Sequence, residues 1–239
     1  IHPGINTGAV FGHGFDFTGM PVGLRVIFAL VICILLCTFF TAIGGFFTAK
    51  FKMHPFISTM SNMLVIFGLV TYATKGVSFG AIEPSIPKMI IPRLNGFPTI
   101  ILWAVAAIVI VWFIWNKTTF GKNLYAVGGN PEAASVSGIS VFAVTMGAFI
   151  LAGILYGFGS WLECARMVGS GSAAYGQGWE MDAIAACVVG GVSFTGGIGK
   201  ISGGVGGVLL FSVLIYSLTI FSIDTNPPFV FEDIIIITA

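Results

Sequence analysis

The residues able to do chemistry are few and far apart. Histidines stand at His2, His13 and His54, and cysteines at Cys33, Cys37, Cys164 and Cys187. Cys33 and Cys37 lie one helical turn apart in an apolar run and no two cysteines form a CxxC pair, so neither a tetrahedral zinc site nor a disulfide framework is implied. Three scattered histidines give no triad and no paired carboxylates join them. The run Gly196-Gly197-Ile198-Gly199-Lys200 has the look of a phosphate loop. The pattern G-x-x-x-x-G-K-[ST] would need glycine at 194 and Ser or Thr at 201, where Phe194 and Ile201 stand. The chain therefore carries no readable pattern for hydrolysis, metal binding or nucleotide binding.

One polar stretch is informative: Gly128-Gly129-Asn130-Pro131-Glu132-Ala133-Ala134-Ser135-Val136-Ser137-Gly138. Asn130 suits an N-cap, Pro131 the first helical position, and Glu132 the positive end of the helix dipole, so a short helix is predicted to run to about Gly138. Glycines at both ends let it turn along a membrane surface. On the residues alone, a docking knob for a soluble partner and an ordinary connecting turn are equally open.

The elements that must carry these residues follow from composition. Of 239 residues 56% are apolar, 14% aromatic and 8% charged, against roughly 25% charged in soluble domains. Mean hydropathy is +1.02. Ten basic and nine acidic residues, net charge +1, cannot cover a water-facing surface and leave no electrostatic footprint for nucleic acid. Such hydrophobicity excludes disorder as well. Lipid bilayer is the expected solvent, and the expected fold is an all-α integral membrane protein, a polytopic helical bundle.

Spans of about 20 apolar residues are predicted over 26–49, 56–74, 97–116, 139–162 and 201–223. A further segment, 183–199, is only about 17 residues long and holds Gly190, Gly191, Gly196, Gly197 and Gly199, so a broken or re-entrant helix is predicted there. That makes about six spans in one domain, and it makes the glycine-rich segment the best candidate for lining a path. Gly199, Gly203 and Gly207, like Gly153 and Gly157, are spaced for close helix packing instead. The first residue is Ile1 and the last, Ala239, follows an apolar run that has just begun, so the chain is expected to be an internal piece truncated at both ends.

No acid or base falls inside a predicted span, which points away from a proton or ion relay and toward a neutral solute touched by hydroxyls, amides and backbone. Lysines and arginines divide evenly between the two sides. Lys50, Lys52, Lys117, Lys122 and Lys200 are assigned to the inside because their loops are nearly free of acid.

Two blocks then carry a resemblance. Asn116 to Val141, NKTTFGKNLYAVGGNPEAASVSGISV, resembles the cytoplasmic loop of permease subunits of bacterial ABC importers for monosaccharides, and Glu180 to Gly203, EMDAIAACVVGGVSFTGGIGKISG, resembles the other signature of that family. The phrases WNKTTFGKN and DAIAACVVGGVSF are most similar to members that carry galactose and methyl galactoside. The resemblance implies a multi-pass inner-membrane permease that works as a pair, a homodimer of permease subunits, with ATP used by a separate ABC ATPase subunit and sugar delivered by a periplasmic sugar-binding protein. No cofactor is implied on this chain. The resemblance places Gly128, Gly129, Asn130, Pro131, Glu132, Ala133 and Ala134 at the ATPase contact. From the second block, Glu180, Asp182, Gly190, Gly191, Ser193, Gly196 and Gly197 become path candidates. A permease for ribose, another pentose or a nucleoside, and a facilitator that needs no ATPase, are the alternatives. Trp103, Trp112, Trp115, Trp161 and Trp179, near span ends, are read as interface anchors rather than sugar-stacking platforms.

Overall fold

Long uncharged runs fold here as the lipid-facing helices they predict. The computed structural model describes residues 21–77, 85–94, 97–167, 171–172, 174–193 and 195–220. Helix α1 runs Val22–Phe51 and α2 Pro55–Thr74, joined by a turn too short for anything but an antiparallel hairpin. A short helix α3, Ser85–Ile90, leads to a two-stranded antiparallel ribbon, β1 Arg93–Leu94 with β2 Phe97–Pro98. Then come α4, Ile100–Lys117, α5, Thr119–Gly129, α6, Pro131–Val136, α7, Val141–Arg166, α8, Trp179–Val189, and α9, Ile201–Ile220. Among the described residues, α1, α2, α4 and α7 are long and apolar enough to cross a membrane. None of the residues of α4 is buried, as suits an apolar helix whose solvent is hydrocarbon.

Both lysines that end the first two helices have left-handed backbone, Lys52 at φ 52° and Lys75 at φ 54°. At Lys75 the cap is closed by Gly76 N–H donating to Thr71 O (3.1 Å) and Lys75 N–H to Tyr72 O (3.3 Å), which satisfies carbonyls a helix end would leave open.

Tertiary contacts group the chain into two compact units. The first comprises residues up to Ala107 together with Thr145–Tyr175. Its core is Trp161, Leu162 and Ala165 of α7 against Val26 of α1 and Ile90 of α3. Trp161 Nε1 donates to Val26 O (3.3 Å) and Trp103 Nε1 to Ile90 O (3.2 Å), while Trp103, Phe158 and Trp161 pack ring against ring with centroids 5.8–6.2 Å apart. Trp161 is thus a core residue, its indole N–H satisfied by a backbone carbonyl, and not the interface anchor its position suggests. Small residues let the helices touch: Gly153 lies against Thr38 and Thr41, Gly157 against Cys33 and Ile34, and Gly45 beneath Phe149.

The second unit comprises Ile108–Val144 and the residues from Gly176 onward. At the elbow between α4 and α5, Thr118 caps α5 by accepting from Gly121 N–H (3.3 Å), and a Cβ at 121 would strike the backbone of Trp115. Ala185 and Ala186 of α8 form a small core with Phe211 and Ile215 of α9.

Over 183–199, where a broken or re-entrant helix is predicted, the backbone is a short helix followed by a glycine turn. Helix α8 starts earlier, at Trp179, and stops at Gly190 after 11 residues, a rise of about 16 Å that reaches half-way through a core of about 30 Å. Beyond it, Gly191, Gly196 and Gly197 take φ of 77°, 94° and 74°, which no helix continues. Helix α4 begins at Ile100 rather than 97 because Phe97 and Pro98 are spent in the ribbon.

Candidate functional site

The polar stretch between α5 and α7 folds as its residues dictate. Asn130 ends α5 and caps α6: its Oδ1 accepts from Glu132 N–H and Ala133 N–H, both at 3.0 Å, and Pro131 occupies the first turn, where no N–H is needed. Glu132 sits exposed at the positive end of α6. Gly138, at φ 82°, closes the helix, with Ile139 N–H donating to Ala134 O (3.0 Å). Ala134 is 4% exposed and anchors the short helix, whereas Val136 is 92% exposed. A fully presented valine on a six-residue helix is an apolar knob with nothing of its own chain over it.

Beneath this segment lies the glycine-rich turn of the second block. Gly128 and Gly197 meet backbone to backbone, so that a Cβ on Gly128 would fall 2.7 Å from Gly197 N and a Cβ on Gly197 would fall 2.6 Å from Gly129 Cα. Tyr125, one turn earlier on α5, donates its hydroxyl to Gly199 O at 2.5 Å. The turn is closed on itself by Ser193 N–H donating to Ile198 O (2.9 Å) and by the Ser193 and Thr195 hydroxyls, 2.8 Å apart. Two stretches some 70 residues apart are therefore one structure.

The predicted path residues divide. Ser193, Gly196 and Gly197 belong to this turn, Gly196 and Gly197 directly against Gly128 and Gly129. Gly190 ends α8 with its backbone against Gly203 of α9, and Gly207 lies against Ala186, so these glycines serve helix contact. Gly191 faces open space. Glu180 and Asp182 stand in the first turn of α8, at its other end, where carboxylates complement the dipole. Tyr125 and Asn62 were not singled out by sequence. The first joins the turn, and the second donates its side-chain amide from α2 to Phe40 O of α1 (2.8 Å).

Among the described residues no three His, Cys, Asp or Glu side chains gather into a metal-binding set. A charged cluster stands at the end of α7. Arg166 Nε donates to both oxygens of Glu163 (3.0 and 2.9 Å), Tyr175 donates its hydroxyl to Glu163 Oε1 (2.5 Å), and that hydrogen bond to a carboxylate holds the phenol above its ordinary range. An exposed pair of this kind adds little stability.

Over residues 4–236 the chain matches the family described as branched-chain amino acid transport system / permease component. The chain belongs to that permease family. It is 49% identical, over its whole length, to the galactose/methyl galactoside import permease protein MglC of Treponema pallidum, of which it spans 46%. It is 39% identical to MglC of Escherichia coli over 94% of the chain and 67% of the relative, and 34% identical to the L-arabinose transport system permease protein AraH of Escherichia coli over 82% and 60%. The chain thus spans about half to two thirds of the length of these relatives. No solved structure matches it. As a permease of this family the chain is a multi-pass membrane protein, and its α5–α6 segment and glycine turn are the two stretches whose residues the resemblance singles out.

Proposed function

We propose that this chain is the membrane permease part of an ATP-driven importer that moves a monosaccharide, galactose or methyl galactoside, across the bacterial inner membrane. The observation that carries the reading is its 49% and 39% identity to two import permeases for that sugar, over nearly all of its residues. The α5–α6 segment supports the rest. A capped helix, anchored by buried Ala134 and presenting Glu132 and Val136 outward, suits a soluble ATPase subunit that docks on Gly128–Ala134.

In this reading the chemistry of ATP belongs to the ATPase, and this chain contributes no catalytic group and no cofactor site. A second permease copy completes the path, and a periplasmic sugar-binding protein delivers the solute on the opposite face. ATP-dependent motion of the ATPase displaces α6, and the spans alternate between inward and outward openings. Similarity to arabinose and ribose permeases, at 34% and 35%, favours a pentose as the second candidate substrate.

The test is uptake of labelled galactose by proteoliposomes holding the full-length permease, its ATPase and a galactose-binding protein, with the ATPase omitted in a control. Concentrative uptake that vanishes in the control is expected. Flux that persists without the ATPase would make the chain a facilitator, and uptake of arabinose or ribose alone would move the substrate to a pentose.

A further inference from the structure

We propose that Tyr125 and the Gly128–Gly197 contact form the mechanical link that hands displacement of the α5–α6 docking segment on to α8 and α9. The inference rests on the reading of this chain as an ATPase-driven permease and names the residues that carry its coupling.

Geometry supplies the argument. Asn130 is at once the last cap of α5 and the first of α6, through Asn130 N–H to Ala126 O (3.1 Å) and its Oδ1 to Glu132 and Ala133, so a push on α6 reaches the final turn of α5 directly. That turn bears Gly128, whose backbone lies on Gly197 with no side chain between them. A contact through side chains absorbs small displacements by changing rotamer. A backbone-to-backbone contact has no such slack, and close-packed matter passes the displacement on.

What receives it is equally tight. The turn is braced by Ser193 N–H to Ile198 O (2.9 Å), and its two flanks are pinned together where Gly190 of α8 meets Gly203 of α9. Tyr125 adds the pulling half of the link. Contact between glycines resists compression only, whereas the hydroxyl bond to Gly199 O, two residues before α9 begins, holds when α5 withdraws. Tyr125 is half-buried, on the inward side of the segment, while Asn130, Pro131, Glu132 and Ala133 are exposed. Tyr125 and Gly197 of the link lie outside the docking stretch Gly128–Ala134, so they can be changed apart from it.

The experiment compares Tyr125→Phe with the parent in the full-length permease, reconstituted with its ATPase and sugar-binding protein, and reads three quantities: ATPase retained on purification, ATP hydrolysed, and sugar taken up per ATP. Loss of a single neutral hydrogen bond predicts that sugar per ATP falls by about fivefold while the ATPase stays bound. A misfolded fraction lowers uptake and hydrolysis together and leaves the ratio unmoved. Gly197→Ala, on the other side of the contact, would put a Cβ 2.6 Å from Gly129 Cα; it is expected to lower the same ratio and decides the matter if Tyr125→Phe is poorly produced. An unchanged ratio in both variants overturns the link, and so does loss of ATPase binding, which would make these docking residues. A parent protein with no ATP-dependent uptake would overturn the functional reading itself, before any variant is measured.

Discussion

Asn62, in α2, donates its side-chain amide to the main-chain carbonyl of Phe40 in α1, 2.8 Å away and 22 residues back along the chain. Ser58 repeats the gesture one turn earlier, its hydroxyl donating to Gly44 O at 2.9 Å, and Gly44 has no side chain to hold the two helices apart. In hydrocarbon, where apolar contact between helices gives no advantage over lipid, such bonds are part of what keeps neighbours paired.

Replacing Asn62 by Leu should therefore weaken the α1–α2 hairpin by about 1 kcal/mol. Unfolding of the purified full-length protein in graded denaturing detergent measures it. A midpoint equal to the parent's would reduce Asn62 to a bystander.

Two glycines of α7, two positions apart, should behave in opposite ways. A Cβ at Gly157 would sit 2.5 Å from Ile34 Cα, and one at Gly159 meets nothing within 4 Å. Gly157→Ala is expected to cost about 1–3 kcal/mol through forced separation of α1 and α7, and Gly159→Ala to be neutral or slightly stabilising. Thermal denaturation of both variants checks the contrast, and equal losses would refute it.

Charge reversal at the docking helix is a test of a different kind. Glu132→Lys puts a cation at the positive end of α6, a local cost of about 0.3–1 kcal/mol, with the spans untouched. The expected result is a folded permease whose associated ATP hydrolysis no longer drives uptake. Sugar uptake at the parent's rate would argue that Glu132 does not face the ATPase.

For the glycine-rich segment the informative position is 191. Bulk at Gly190 would hit the carbonyl of Gly203, so a defect there speaks only of packing, whereas Gly191 faces open space at φ 77°. Asn tolerates that backbone best among residues with side chains. Gly191→Asn should fold, and if the segment lines the path it should slow sugar uptake in the reconstituted system. Undiminished uptake would leave the segment to helix contact alone.

Much of this architecture is legible in one dimension because lipid makes the code simple. Helices such as α2 need about 20 apolar residues and a polar stop, and Pro55 and Lys75 mark both ends. The cap of α6 is equally local, since Asn130, Pro131 and Glu132 act within one turn. The four-residue spacing of Gly153 and Gly157 foretells their contact with α1 without saying which helix they meet. What escaped is whatever depends on a distant partner. Nothing in Tyr125 announces a bond to a carbonyl 74 residues away, and a lone amide at Asn62 in an apolar run reads as an accident until α1 lies beside it. A break in the glycine-rich segment is legible, but the residue at which α8 stops is not. Gly190 and Gly191 fit a weak span as well as a helix terminus, and the close approach of Gly203 together with the left-handed turn at Gly191 decides between them.

The Lys75 cap described above also makes α2 a ruler. Pro55, behind the extended backbone of His54, starts the helix and the left-handed Lys75 ends it, and the 20 residues from Pro55 to Thr74 measure about 30 Å. Helix α1, with 30 residues, can lean to suit a thinner or thicker sheet of lipid. Its hairpin partner has no such latitude. The choice of lipid tail length is consequently a constraint that this molecule carries in its own backbone, and α2 is the element that feels it first.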